Sequence, residues 1–423
     1  MAGRVSLQVV SGPIQGRTFD FEGHDTFLFG RSPDCHAELA AGDTTASRHH
    51  FLLEVNPPAA RLRDLGSLNG TWVNGTRHGG RELDETPEEG ARRPIPEVDL
   101  HDGDTIRVGT TVFNVRVEAS SPAFAALRPD SDADIEALLR EGPSSPPREG
   151  AAVPGYALER LVGRGGMGAV YLARRLADGA AVALKLMRPE VVVDQRAREV
   201  FNREIEVTRR LRHPSVVELL DHGVAGGVFY FAMEYCPGGS LSGLLLRSER
   251  PLAVELATRL SLQVLDGLAA AHEGGYVHRD IKPENVLLVD DEPSAAKLGD
   301  FGLAKSFQQA GLSGMTATGT VGGTLFFMPR EQLTNFRLLR PASDVWSMGA
   351  TLYHMLTFSY PRDFAPDRDP LQVILQGGTV PIRMRAPRMP PALADVIDRS
   401  VADDLGVRYP TAAEFRDALR RAL

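Results

Sequence analysis

One short stretch restricts the fold and chemistry of this chain more than any other. Residues 276–285 read Tyr-Val-His-Arg-Asp-Ile-Lys-Pro-Glu-Asn and precede an apolar run at 286–289. They place a carboxylate (Asp280), an ammonium (Lys282) and a carboxamide (Asn285) within six positions. A carboxylate can accept a hydroxyl proton, an ammonium can offset charge on phosphoryl oxygens, and an amide oxygen can ligate a hard cation such as Mg²⁺. The stretch therefore indicates phosphoryl transfer rather than a charged surface turn.

Further motifs stand before and after this stretch in a restrictive order. A glycine-rich segment at 163–170 is followed by Val-Ala-Leu-Lys at 182–185, and Asp-Phe-Gly stands at 300–302. The glycine pattern alone is weak, because ordinary hairpin turns also contain it. Together with residues 324–331 and 344–349, these segments resemble the eukaryotic-type protein kinases.

The resemblance implies an α+β two-lobed protein kinase fold over residues 153–423. It implies catalytic roles for Asp280, Lys282, Asn285 and Lys185, and metal ligation by Asn285 and Asp300. Glu204 is the expected partner of Lys185, with Glu206 as the reserve. The residues implied to bind ATP are Gly163, Gly165, Gly168, Val170, Lys185, Glu204, Glu234 and Cys236.

The resemblance also implies a regulated activation segment. Arg279 precedes the catalytic aspartate, and a buried arginine there needs an anion, which a phosphate on this segment supplies in similar kinases. The expected phosphosites are Thr316, Thr318 and Thr320. Glu331 is expected to pair with Arg408. Arg330 departs from the Ala-Pro-Glu pattern of relatives, with an effect that the sequence does not define.

The first part of the chain reads as short strands. Residues 5–10 alternate in polarity, 27–29 are apolar, and Gly, Asp and Asn turns separate the pieces, as in an all-β sandwich or barrel. Polar clusters at its turns resemble a forkhead-associated (FHA) domain, which binds phosphothreonine, over residues 1–118. By this resemblance Arg31, Ser47 and Arg48 hold the phosphate, Asn69 holds the peptide backbone, and His50 braces the loop. Leu68 departs from the hydroxyl residue common in relatives, and 79–96 reads as an inserted solvated loop.

Composition sets the remaining limits. Residues 119–152 are rich in Ser, Pro, Ala and Gly, which predicts a flexible linker with at most a short helix at 134–140. A net charge of −8 argues against nucleic acid or an anionic membrane as the main partner. The two cysteines, Cys35 and Cys236, allow no disulfide framework, and no apolar window is long enough for a membrane span. We therefore expect a cytoplasmic protein.

The sequence predicts a multidomain protein serine/threonine kinase that uses ATP and Mg²⁺. Lys282 and Thr324 match serine/threonine kinases rather than tyrosine kinases. The expected partners are protein substrates and phosphothreonine-containing proteins, or the chain's own autophosphorylated activation segment. Two alternatives stay open: a pseudokinase scaffold in which only the phosphopeptide module works, and a small-molecule kinase of similar fold. Lys185, Asp280, Asn285 and Asp300 disfavour the first, and the full activation segment ending at Glu331 disfavours the second.

Overall fold

The structure is a computed structural model in which a β-sandwich is followed by a two-lobed α+β unit, as the sequence predicts. It describes residues 4–21, 25–40, 42–80, 97–118, 153–165, 168–187, 205, 209–225, 228–301, 324–334, 339–365 and 368–423. Several predictions fall outside these residues: Glu204 and Glu206, the three activation-segment threonines, the linker and residues 81–96 of the inserted loop.

Eleven strands form the two sheets of the sandwich in the described part of the chain. One sheet has the order β2-β1-β11-β10-β7-β8 and the other β4-β3-β5-β6-β9. The strands are β1 Arg4–Ser11, β2 Thr18–Phe21, β3 Asp25–Gly30, β4 Ala37–Glu38, β5 Phe51–Asn56, β6 Ala59–Asp64, β7 Thr71–Val73, β8 Thr76–His78, β9 Val98–Leu100, β10 Thr105–Val108 and β11 Thr111–Glu118.

Aromatic side chains fill the space between the sheets. Phe29 and Phe51 stack at 4.5 Å between ring centroids, and Phe113 of the facing sheet meets Phe29 edge-on at 5.9 Å. Strand β1 buries every second residue, so its predicted alternation is confirmed. This core leaves the loops after β3, β4 and β6 at the surface, where they carry the candidate phosphopeptide residues.

The N-terminal lobe of the second unit is an antiparallel sheet with the order β12-β13-β14-β16-β15. The strands are β12 Tyr156–Gly165, β13 Gly168–Arg175, β14 Ala181–Met187, β15 Leu219–Ala225 and β16 Val228–Glu234. Strand β14 is buried from its second residue to its last, which explains why its sequence is apolar on both faces.

The C-terminal lobe is mainly helical and surrounds a short hairpin. Its helices are α1 Leu241–Arg247, α2 Val254–Glu273, α3 Arg330–Thr334, α4 Pro341–Thr357, α5 Pro370–Gln376, α6 Ile382–Arg385, α7 Pro391–Ser400 and α8 Ala412–Arg421. The hairpin consists of β17 Val286–Leu288 and β18 Ala296–Leu298, and single 3₁₀ turns occur at Pro283–Asn285 and Thr324–Phe327. Within the described ranges, no helix is both long enough and apolar enough to cross a bilayer.

Candidate active site and phosphopeptide site

A buried aspartate on helix α4 holds the backbone of the catalytic loop. Asp344 is 1% exposed, and its carboxylate accepts the N–H groups of His278 at 2.7 Å and Arg279 at 2.8 Å. It also lies 2.9 Å from His272 Nε2. These bonds fix Arg279 at a φ of 71°, in the left-handed region that non-glycine residues seldom adopt. Asp344 thus positions the residue before Asp280. Sequence reasoning gave it no role, although a carboxylate inside the apolar run of α4 needs partners.

The Asp280 side chain has one engaged and one available oxygen. Lys282 Nζ lies 2.9 Å from Asp280 Oδ2, and Asn285 Nδ2 donates to the same oxygen at 3.0 Å. Asn285 also donates to the Asp280 carbonyl at 2.7 Å. Among the described residues, the buried Asp280 Oδ1 has no hydrogen-bond partner. An oriented carboxylate with a free oxygen is suited to accept a proton from a hydroxyl group.

Lys185 and Asp300 meet between the two lobes. Lys185 Nζ lies 2.7 Å from Asp300 Oδ2. Burial alone would raise the pKa of Asp300, but the charge and hydrogen bond of Lys185, together with the nearby His278 and Lys282, lower the pKa below the ordinary aspartate value. Asp300 is therefore an anion at neutral pH. Glu204, the predicted partner of Lys185, lies outside the described residues.

The segment around Asp300 is tied to the catalytic loop. His278 Nε2 lies 2.8 Å from the Gly299 carbonyl, and its ring meets Phe301 edge-on at 4.6 Å. Phe301 is buried in the core of the C-terminal lobe. Both contacts link His278, two residues before Asp280, to the residues on either side of Asp300. They therefore fix the two carboxylates relative to each other.

The structure places the glycine-rich segment in register with Lys185 across one sheet. Gly163 pairs with Val170 across strands β12 and β13, and Val170 pairs with Lys185 across β13 and β14. Gly168 has a φ of 152°, and a Cβ there would lie 2.0 Å from the Leu186 carbonyl oxygen, so only glycine fits. Backbone N–H groups in such a loop can approach phosphates closely.

The end of strand β16 lies where the lobes join. Glu234 N–H donates to the Glu218 carbonyl at 2.9 Å, and the Glu234 carboxylate lies 2.5 Å from Lys297 Nζ. Cys236 is buried, and this burial raises the pKa of its thiol to about 11. The thiol is therefore protonated at neutral pH, which agrees with the prediction that Cys236 packs rather than reacts.

The predicted ion pair below the activation segment is confirmed. Arg408 Nη1 lies 2.5 Å from Glu331 Oε1, and Ser343 donates to the same oxygen at 3.0 Å. Arg330, whose effect the sequence left open, donates to the carbonyls of Ile374 at 3.2 Å and Gly377 at 3.1 Å. It therefore caps the C-terminal end of α5, where a cation is favourable.

In the sandwich, the loops carrying the predicted phosphate-binding residues come together. Arg31 N–H donates to the Ser47 carbonyl at 3.1 Å, which joins the loop after β3 to the loop after β4. Ser47 Oγ accepts the Leu68 N–H at 2.9 Å, so its hydroxyl hydrogen remains available for a ligand. In the described ranges, Arg31 Nε is buried and has no hydrogen-bond partner. Arg48 and Asn69 are exposed beside them.

His50 is the brace that the sequence predicts. It is fully buried, its Nδ1 accepts the Ser47 N–H at 2.9 Å, and its Nε2 lies 3.3 Å from the Gly70 carbonyl. Asp64 completes the support by accepting bonds from Ser67 Oγ and Thr71 Oγ1, both at 2.7 Å. Both binding loops are therefore anchored to the core through buried polar groups.

The fold is a two-lobed α+β unit preceded by a β-sandwich, and its site brings together carboxylate, ammonium and carboxamide groups. The chain belongs to the protein kinase domain family, whose model matches residues 156–409, and an FHA domain model matches residues 27–87. The kinase family implies use of ATP and a divalent metal. The oxygens of Asp300 and Asn285 are the hard donors that Mg²⁺ prefers.

Relatives among characterised bacterial proteins are serine/threonine-protein kinases. PknD of Mycobacterium tuberculosis is 34% identical over 278 residues, which are 66% of this chain and 41% of the relative. PknE of Mycobacterium bovis is 36% identical over 280 residues, which are 65% and 47% of the two chains. Pkn3 of Myxococcus xanthus is 34% identical over 273 residues, covering 63% and 49%. The matches span half or less of each relative's length.

Solved structures extend the similarity. The PknI kinase domain of Mycobacterium tuberculosis matches with a TM-score of 0.50 at 26% identity, over 66% of this chain and 100% of that one. Rad53 1-466 in complex with AMP-PNP matches with a TM-score of 0.51 at 23% identity, over 98% and 99% of the two chains. At 23% identity, the similarity to Rad53 shows a shared fold only.

Proposed function

We propose that this chain is a protein serine/threonine kinase that transfers the γ-phosphate of ATP to hydroxyl groups of proteins. The observation that carries the proposal is the state of Asp280. Its Oδ2 is held by Lys282 and Asn285, and its Oδ1 has no hydrogen-bond partner among the described residues. The choice of serine and threonine rests on Lys282 two residues after the aspartate, and on the names of the relatives.

Each site residue has a distinct task in this reaction. Lys185 binds phosphate oxygens of the nucleotide, and the glycine-rich hairpin of Gly163, Gly165 and Gly168 covers them. When bound, Mg²⁺ neutralises phosphate charge, and the oxygens of Asp300 and Asn285 would hold it. Asp280 orients the substrate hydroxyl and receives its proton, while Lys282 offsets charge on the transferred group. The backbone of Glu234 and Cys236 is assigned to the adenine edge.

The scaffold alternative finds no support. A pseudokinase has no need for a catalytic aspartate with an available oxygen, nor for an ammonium held against a metal-binding carboxylate. Here Asp280 has the first feature and Lys185 with Asp300 has the second.

The kinase assignment is tested by Asp280→Asn. The variant should bind nucleotide normally, and its kcat should fall by a factor of about 10² to 10⁴, the usual contribution of a positioned proton acceptor. Asp291→Asn, at the exposed turn of the β17–β18 hairpin, is the control and should keep the parental rate. Phosphate transfer by the Asp280 variant at the parental rate would refute the assignment.

We further propose that the sandwich binds phosphothreonine peptides. Arg31 and Arg48 supply charge-assisted donors, the Ser47 hydroxyl donates to a third phosphate oxygen, and Asn69 binds the peptide backbone. The buried Arg31 Nε supports this proposal. It has no hydrogen-bond partner among the described residues, and a bound phosphate could accept its hydrogen. The ligand is either a phosphorylated segment of this kinase or a substrate recruited for further phosphorylation.

Calorimetric titration with phosphothreonine, phosphoserine and plain peptides tests the second proposal. Only the phosphothreonine peptide should bind well, and the methyl group that distinguishes it from phosphoserine contributes about 0.8 kcal/mol if buried. Arg31→Ala should abolish binding, whereas Arg116→Ala, at an exposed position of strand β11, should not. Equal affinity for phosphorylated and plain peptides would exclude this function.

Phosphate on Thr316, Thr318 or Thr320 is proposed to raise activity, because it would give Arg279 an anion. Removing that phosphate with a phosphatase should lower the rate.

A further inference from the structure

The outer face of the sandwich is packed against the C-terminal lobe of the kinase. Leu28 and Leu52 lie opposite each other on β3 and β5 and point away from the sandwich core. They form one buried apolar cluster with kinase side chains from the Thr324–Phe327 turn, α3 and α5. The cluster consists of Leu28, Cys35, Leu52 and Leu65 of the sandwich and Leu325, Leu333, Leu371, Ile374 and Leu375 of the kinase.

Two polar contacts fix the orientation of this interface. Arg63 Nη2 lies 2.8 Å from Asp369 Oδ2, and the Asp369 side chain is only 5% exposed. Gln372 Nε2 donates to the Leu65 carbonyl at 2.8 Å. Gly66 has a φ of 65°, and a Cβ there would lie 2.1 Å from Gln372 Nε2, so the contact is close. Partly buried charge-assisted bonds of this kind specify one docking geometry.

The interface is connected to the catalytic loop through helix α3. Strand β3 packs against α3, and Gln332 of α3 donates to the Arg279 carbonyl at 2.9 Å. Arg330 of the same helix bonds to the end of α5, which the sandwich covers. Helix α3 therefore connects the docked sandwich to Arg279, the residue before Asp280.

Asp25, the first residue of β3, brings a carboxylate to this junction. Burial lowers the pKa of the Arg279 guanidinium, and the carboxylates of Asp344 and Asp25 oppose that effect. Asp344 already accepts two backbone N–H groups and contacts His272. Asp25 is thus a second anion near the guanidinium, and it comes from the other domain.

We propose that the docked sandwich is a positioning element of the kinase, and that its Asp25 carboxylate serves Arg279 as the anion that an activation-segment phosphate would otherwise supply. The inference rests on the proposed kinase function. Docking then partly orders the loop before Asp280 without phosphorylation, so the dephosphorylated chain keeps a basal rate that a phosphate on the activation segment raises further. Asp25 acts through Arg279 rather than on the substrate. A phosphate on the activation segment would make Asp25 dispensable.

Initial-rate kinetics on the full chain test this inference. The phosphatase-treated and autophosphorylated forms are compared for the parent, Asp25→Asn, Asp25→Glu and Arg63→Ala. Asp20→Asn, which removes a carboxylate paired with Arg4 at the surface of the sandwich, is the matched control. In the dephosphorylated form, Asp25→Asn and Arg63→Ala should lower kcat about tenfold, an ordinary size for coupling between sites, without changing the KM for ATP. Asp25→Glu should retain most of the rate, and autophosphorylation should restore Asp25→Asn.

Several results would overturn the inference while leaving the kinase assignment intact. Unchanged or increased kcat in the dephosphorylated Asp25→Asn protein would mean that the sandwich does not activate, and an increase would indicate that it obstructs substrates. An equal loss in both phosphorylation states would mean that Asp25 is merely structural. A dephosphorylated parent without activity, beside an active phosphorylated parent, would also contradict it. Absence of activity in every form would instead refute the proposed function.

Discussion

The ammonium of Lys185 lies 2.7 Å from a carboxylate oxygen of Asp300, across the boundary between the two lobes. The pair joins strand β14 to the segment after β18, so the groups assigned to nucleotide phosphate and to metal are adjacent. Both charges are partly desolvated, and the pairing offsets that cost.

Replacing Asp300 by Asn should uncouple nucleotide binding from the metal. The variant keeps the shape of the site but loses the charged oxygen, so Mg²⁺ should no longer strengthen ATP binding. Calorimetric titration with ATP, with and without Mg²⁺, measures this difference. Asp280→Asn serves as the control that keeps the Mg²⁺ effect. If Mg²⁺ strengthened ATP binding equally in the Asp300 variant and the parent, Asp300 would not be a metal ligand.

Arg408→Ala should destabilise the kinase unit strongly. Arg408 is fully buried in its pair with Glu331, and removing it leaves an uncompensated carboxylate, which typically costs about 3–5 kcal/mol. The double replacement of Glu331 and Arg408 by Met should lose less stability than the single variant. Thermal unfolding followed by circular dichroism provides the comparison. A single variant that melts with the parent would show that the pair is not structural.

Asp344→Asn should lower both stability and kcat. An amide cannot accept the His278 and Arg279 N–H groups with both of its atoms, so one buried donor loses its partner at a cost of about 1–3 kcal/mol. Asp395→Asn on the exposed face of α7 is the matched control. Unfolding midpoints and initial rates are measured together. Parental values for both would contradict the bracing role.

The sandwich should lose stability in mild acid because of His50. Burial lowers the pKa of this imidazole, with the nearby Asp64 carboxylate opposing the effect. The folded domain therefore keeps His50 neutral, while the unfolded chain takes up a proton as the pH falls through about 6.5. Stability is full above that pH and decreases below it. The gap in unfolding midpoint between the parent and His50→Gln should narrow from about pH 7.5 to pH 5. A gap that is constant with pH would contradict this account.

Local sequence signals anticipate the elements that carry the chemistry. The order Asp280, Lys282 and Asn285 before an apolar strand predicts a catalytic loop, and in the structure Lys282 and Asn285 both contact the Asp280 carboxylate. The strand alternation in β1 and the buried strand β14 follow from burial on one face or two. These features depend on neighbours in sequence, which a pattern can reveal.

Contacts between segments that are distant in sequence cannot be predicted from such local patterns. The apolar residues at 27–29 predict a strand, but Phe27 and Phe29 face the sandwich core whereas Leu28 faces the kinase. A strand that is apolar on both faces indicates that a second element packs on it, but the pattern does not show which element this is. Arg330 likewise acts on α5 through carbonyl groups more than forty residues away in sequence. Asp25 approaches Arg279 only because the two domains dock.

Mass-spectrometric mapping of phosphosites in the chain expressed alone, compared with its Asp280→Asn variant, tests the central claim most directly. The account predicts phosphorylated serine and threonine residues in the parent, including at least one of Thr316, Thr318 and Thr320, and their loss in the variant. Identical phosphorylation of the two proteins, or none in the parent supplied with ATP and Mg²⁺, would contradict the assignment of this chain as a protein serine/threonine kinase.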